Sequence, residues 1–181
     1  MIIGPGFADV LAAATAGGEW AWEQLFASVE RQLRGYLVGQ GAEDPENMAG
    51  DVLLGAVAGI RGFHGDERQF RSWIFVMAHH RLIDERRRNR RRDRVTKLAP
   101  RCEQIDDAGA EVLARLDATE WRERLARLSD DQRTVVLLRV VAGLSTEETA
   151  EVVGKRPGAV RVLQHRALGR LREILSAEVT R

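Results

Sequence analysis

With 181 residues, a formal net charge of +1, 44% hydrophobic and 30% charged residues, the chain has room for one ordinary domain or two small ones and the composition of a soluble globular protein. No apolar run approaches the roughly 20 residues of a membrane helix, and the N-terminal MIIGPGFADVLAAATAGG lacks a basic start, so no secretory signal is expected. Cys102 is the only cysteine, which excludes an internal disulfide and fits a reducing cytoplasm; CxxC, HExxH, P-loop and GxSxG patterns are absent, and His64, His79, His80 and His165 have no zinc spacing, so neither a catalytic centre nor a metal or cofactor is expected.

Apolar residues recur at helical spacing throughout and seldom alternate, which predicts an all-α protein. A short helix around Ala8 to Ala14 precedes a long one from Glu19 to Val38, with Trp20, Trp22, Leu25, Phe26, Val29, Leu33 and Leu37 facing a core. Gly39, Gly41 and Pro45 interrupt the pattern. A second long helix runs from about Glu46 to Gly62 with Ala49, Val52, Leu53, Ala56, Val57 and Ile60 on one side. After a polar loop, Phe63 to Gln69, a third begins near Phe70 with Phe70, Trp73, Ile74, Met77, Ala78 and Leu82 as its buried stripe. Its far end, Arg81 to Arg94, carries eight arginines against three acids. So basic a run attracts phosphate, although a cationic helix end also suits the helix dipole.

Composition changes at Val95. Pro100, Cys102 and Gly109 mark a connector, and from Glu103 to Glu123 seven acids face two arginines. The first module is therefore placed at 1–94, the connector at 95–109 and the second module at 110–181. Leu113, Leu116, Trp121, Leu125 and Leu128 predict its first helix, and Ser129 with Gln132 makes a capping box for a nearly apolar helix, Asp130 to Val141, at its centre.

Ser145 and Glu148 form another capping box, so a helix begins near Thr146; Gly154 closes it, and Lys155, Arg156 and Pro157 make the corner. From Gly158 a final helix turns Val160, Leu163, Ala167, Leu168, Leu171 and Leu175 inward and Arg161, His165, Arg166 and Arg170 outward. Residues 155–172 hold six Lys/Arg and no acid. That asymmetry in a nearly neutral chain is the footprint of a polyanion, and two helices around a tight turn form a helix-turn-helix, whose second helix enters the major groove. Arg156 at the corner and Arg161, Val162, His165 and Arg166 are the expected contacts to base edges or adjacent phosphates.

The segments LARLSDDQRTVVLLRVVAGLSTEETAEVVGKRPGAVRVLQHRALGRLR and FRSWIFVMAHHRLIDERRRNRR, with DPENMAGDVLLGAVAGI before them, resemble regions four and two of bacterial sigma factors of the extracytoplasmic-function type. The likeness runs from about residue 19 to 175 and rests on order and spacing together. It implies a dissociable, non-enzymatic subunit that joins core RNA polymerase, recognises promoter DNA at −35 and −10 elements, and is held in check by an anti-sigma protein. Arg156, Arg161, Val162, His165 and Arg166 would read the −35 duplex. The Phe63–Gln69 loop would capture an unstacked −10 base, with His64, Arg68, Trp73, His80, Arg81, Asp84, Arg87 and Arg88 toward that base or its backbone. Glu46, Asn47, Asp51, Val52 and Leu53 would meet the polymerase. The chain departs from the family pattern there, with NMAGDVL for a usual DLVQEVF, and at His80, Ala159 and Val162, which replace a usual asparagine, threonine and serine. A stand-alone helix-turn-helix regulator with a sensing or dimerising first module, and a purely protein-binding adaptor, are the alternatives.

Overall fold

The computed structural model describes residues 2–95 and 118–179, which form helices only. In chain order these are α1 (Phe7–Thr15), α2 (Glu19–Gln40), α3 (Pro45–Gly59), α4 (Glu67–Val95), α5 (Ala118–Ala126), α6 (Asp130–Val140), α7 (Thr146–Val153) and α8 (Pro157–Val179), with single 3-10 turns at Gly4–Gly6 and Ile60–Gly62. The predicted connector, apart from Val95, and Leu113 and Leu116 lie outside the described residues.

Helices α1 to α4 pack around Leu25, Leu33, Tyr36, Leu37, Val52, Phe70, Ile74 and Phe75. The start of α3 is set by Asp44, whose carboxylate accepts the Asn47 N–H, with Pro45 in the first turn. Helix α4 begins at Glu67, earlier than the apolar stripe suggested, because Asp66 and Gln69 cap one another: each side chain accepts the other's backbone N–H at 2.9 Å. Arg68 and Gln69 therefore belong to a helix, not to a loop. Trp20 lies 52% exposed and Trp22 and Phe26 only half-buried, so Tyr36 is the one fully buried aromatic of α2 and the rest of its large core side chains are aliphatic. The first turns of α2 bury only the small Ala21, and large side chains are buried from Leu25 onward.

The second half folds around α6, whose Val135, Val136, Leu137 and Leu138 are all buried. Both expected capping boxes form, at Ser129 with Gln132 and at Ser145 with Glu148. Gly154 sits at φ 63°, ψ 34°, the left-handed position that closes α7, and the Lys155 N–H reaches back to the Ala150 carbonyl at 2.9 Å. The inner stripe of α8 is Val160, Ala167, Leu171 and Ile174; Leu168 and Leu175, expected inside, are exposed. Both lie one position from the buried seam, and the packing of α8 on α6 and α5 selects Ala167 and Ile174 in their place.

The two modules share one core. Helix α6 lies on α2, and α7 lies on α4. Two glycines make this possible: a Cβ at Gly39 would come within 2.6 Å of Leu137 Cδ2, and one at Gly35 within 3.0 Å of Val141 Cγ1. Interior glycines cost a helix about 0.5–1 kcal/mol each relative to alanine, and here the loss is offset by backbone approach. Beside them Gln40 Nε2 donates to Thr134 Oγ1 at 2.8 Å, while Arg86 donates to the Gln40 carbonyl and side-chain oxygens at 3.0 and 2.8 Å. Arg68 pairs with Glu148 at 3.2 Å and Arg90 with Asp130 at 4.0 Å.

Candidate nucleic-acid interface

Pro157 opens α8, and the Arg156 carbonyl accepts the Ala159 and Val160 N–H groups, so Arg156 stands at the mouth of the helix. Positions 161, 162, 165 and 166 lie one turn apart on a single face. All of them, with Arg156, are exposed. The opposite face is fixed by Val160 against Val135 and Ala150. The turn before α7 is tied down as well, since Arg139 donates to the Leu144 carbonyl and to Gln164 Oε1, linking α6, the turn and α8. The result is a cationic strip on a braced three-helix support, the arrangement of a helix-turn-helix. Arg161 leans on Glu147 at 3.3 Å, an exposed pair that costs little to exchange for phosphate.

The first module presents a second basic surface along α4. His64, Arg68, His80, Arg81, Asp84, Arg87 and Arg88 are exposed, but they do not form one patch. Arg81 pairs with Asp51 of α3 at 3.1 Å, so two residues assigned to different partners hold one another. Asp84 pairs with Arg87 at 3.7 Å. Trp73 is half-buried: its ring stacks on Phe63 at 5.1 Å and its edge fills the space beside Gly59, where a Cβ would come within 2.9 Å. Phe63, Phe70 and Phe7 continue this aromatic cluster, with centroids 5.7 Å apart between Phe63 and Phe70 and 5.8 Å between Phe7 and Phe70.

Next to His80, the Tyr36 hydroxyl lies 3.1 Å from His79 Nδ1. Burial, with the nearby His80 and Arg86 charges, lowers the His79 pKa to about 4. A neutral ring can accept the phenol proton, and burial raises the Tyr36 pKa well above its usual value.

On α3, Glu46 and Asn47 are exposed and Leu53 and Asp51 partly so. Val52, expected to touch a partner, is 1% exposed and supports the helix from beneath. Val57, expected inside, is 41% exposed and Leu54 is 69% exposed. Together they make the exposed apolar seam of this helix, with Val57 on it and not in the inward stripe. Its signal was present in the run Val52-Leu53-Leu54, too many apolar residues for one helix face. Glu67 was also missed: its carboxylate accepts the Ile3 and Gly4 N–H groups at 2.7 and 2.8 Å. Nothing local to residue 67 announces a partner over sixty positions away.

Among the described residues no cluster of metal-binding side chains occurs and no helix is long and apolar enough to cross a membrane. Sigma-70 region 2 matches residues 23–92 and sigma-70 region 4 matches residues 118–171. The chain is 37% identical over 134 residues to the ECF RNA polymerase sigma factor ShbA of Streptomyces griseus, covering 71% of this chain and 70% of that protein. It is 33% identical over 177 residues to the ECF RNA polymerase sigma factor SigD of Mycobacterium tuberculosis, covering 93% and 83%. Among solved structures, the sigma factor RpoE in complex with the anti-sigma factor NepR from Bartonella quintana has a TM-score of 0.74 at 23% identity, covering 85% of this chain and 96% of that one. CnrH in complex with the cytosolic domain of CnrY has a TM-score of 0.69 at 24% identity, covering 93% and 96%. The helical fold, the exposed cationic strip of α8 and these matches along both halves lead to one conclusion: the chain belongs to the extracytoplasmic-function RNA polymerase sigma factors of the sigma-70 family.

Proposed function

We propose that this sigma factor docks on core RNA polymerase through the Leu54–Val57 seam of α3, reads a −35 duplex with Arg156, Arg161, Val162, His165 and Arg166, and holds the melted −10 strand at the start of α4. The exposed α8 strip, braced by Arg139 and the Gly154 turn, is the observation that carries the reading. Phosphate contacts by the arginines supply position and affinity, and base-edge contacts supply choice. The reading assigns no covalent step to any residue of the chain. Since polymerase and promoter occupy the cytoplasm, the chain acts there.

Dimensions impose a further requirement. A folded chain of this length has a radius of gyration of about 16 Å and a diameter near 40 Å. The two promoter elements lie about 25 base pairs apart, on the order of 85 Å at ~3.4 Å per pair. The packed arrangement therefore cannot reach both, and α6 and α7 must leave α2 and α4 when the polymerase binds. Departure also frees Arg68 from Glu148 and Arg90 from Asp130. An anti-sigma protein that binds the packed form would oppose this opening by mass action.

The test is reconstitution with core polymerase on a library of genomic promoter fragments. Promoter-specific transcripts that vanish when Arg161 and Arg166 are both changed to alanine support the reading. Tight binding of the free chain to a palindrome, with no capture of polymerase, would sink it.

A further inference from the structure

The N-terminal residues do not trail from the first module but are strapped across the start of α4. Ile3 and Gly4 donate their backbone N–H groups to the two carboxylate oxygens of Glu67. Phe7 is 5% exposed and contacts the Phe70 ring, and α1 packs on α2 and on the Ile60–Gly62 turn. Between strap and helix lies a cavity of about 440 Å³, with Gly4, Phe7 and Ala8 on one side and Gly65, Asp66, Glu67 and Arg68 on the other. That volume falls among pockets for small organic groups, and a mostly apolar wall with few polar atoms suits a flat heteroaromatic.

We propose that the strap is the second wall of the pocket that takes the extruded −10 base, and that Glu67 is a positioning residue which holds this wall in place. The inference rests on the assignment of the Phe63–Gln69 segment to the melted strand. Gly65 must stay small for the pocket to keep its shape, because a Cβ there would meet Gln69 Oε1 at 2.7 Å and Phe63 Cζ at 3.0 Å. Asp66 caps Gln69 with Oδ1, and among the described residues its Oδ2 has no hydrogen-bond partner. A carboxylate oxygen accepts from an exocyclic amino group and repels a carbonyl, so the pocket favours cytosine or adenine over thymine. Arg68, 73% exposed at its side chain, lies at the mouth, where it can meet the phosphate once Glu148 withdraws.

The experiment uses holoenzyme assembled from core polymerase and the full chain. Its probes are fluorescent single-stranded oligonucleotides from the non-template strand of a promoter that the wild-type holoenzyme transcribes, with each base in turn at each position. Wild type is expected to prefer cytosine or adenine to thymine at one position by about tenfold, the scale of one base-edge contact. Removing residues 2–5, or the milder Glu67→Gln, should bring that ratio close to one while duplex −35 affinity stays within about twofold, since α8 is untouched. Glu67→Gln keeps the size of the side chain and one acceptor, so it carries the test if the deletion lowers the melting temperature. Retention of the ratio in a folded variant with a released strap overturns the proposal and leaves the segment's role standing. A wild-type holoenzyme without base preference at any position overturns both.

Discussion

Substituting Gly39 with leucine tests the packing of the two modules most directly. The first added carbon alone would sit 2.6 and 2.9 Å from the two methyls of Leu137, and Leu137 is 1% exposed, so its methyls have no solvent to swing into. Overpacking of this kind costs about 1–3 kcal/mol. Replacing a helical glycine returns up to ~1 kcal/mol of propensity, but that gain accrues to α2 whether the modules are packed or apart. The whole steric penalty therefore falls on the packed form. If the strain also parts Gln40 from Thr134 within the packed form, loss of that buried hydrogen bond adds about 1 kcal/mol to the penalty on the packed state. A shift of 2–3 kcal/mol moves a packed-to-open ratio by roughly 30- to 150-fold. Small-angle scattering of the free chain should show the radius of gyration rising well above the roughly 16 Å of a folded chain of this length, and amide exchange should accelerate along α6 and the end of α2. Core-polymerase affinity should rise, because opening would no longer draw on binding energy. An unchanged radius, with exchange protection intact in α6, would refute the reasoning that Gly39 and Leu137 hold the modules together.

Other outcomes follow from the same geometry. Arg166→Ala should weaken holoenzyme binding to a −35 duplex by about 1–3 kcal/mol and relax choice at one base if it reads an edge; a uniform loss with a shallower salt dependence would place it on phosphate instead. Leu54→Asp should abolish capture by core polymerase without lowering the melting temperature, since the side chain is 69% exposed, and polymerase capture at wild-type strength would remove α3 as the docking face. For His79, the folded pKa near 4 lies below the ordinary 6.5, so the unfolded chain binds the extra proton between those values. Its contribution is fully present above pH 6.5 and is lost as pH falls toward 4, about 2 kcal/mol by pH 5. Glu85, whose pKa burial raises above the ordinary 4.5, acts with the opposite sign within the same acid range. Urea titrations from pH 7.5 to 5 should show this loss in the wild-type chain and a flatter profile in His79→Gln; parallel profiles would rule His79 out.

What could be read from the chain alone was local. Ser145 and Glu148, Gly154 and Pro157 specify α7, its turn and the start of α8 by hydrogen bonds within a few residues and by a backbone angle that glycine accepts freely, and all of these appear in place. The same reasoning placed the outward face of α8, because charge leaves few residues there that could be buried. Asp66 and Gln69 would have located the start of α4 too, had their reciprocal cap been weighed against the apolar stripe that begins at Phe70. Everything that depends on a partner far along the chain was decided by tertiary structure. Helical spacing offers several adjacent stripes of nearly equal hydrophobicity, so only the neighbouring helices choose Ile174 over Leu175, or bury Val52 while exposing Leu54. Gly39 reads as an interruption until Leu137 lies against it, and Glu67 reads as a solvated acid until residues 3 and 4 return to it. Close approach and charge pairing act through space, and spacing along a sequence carries no measure of either.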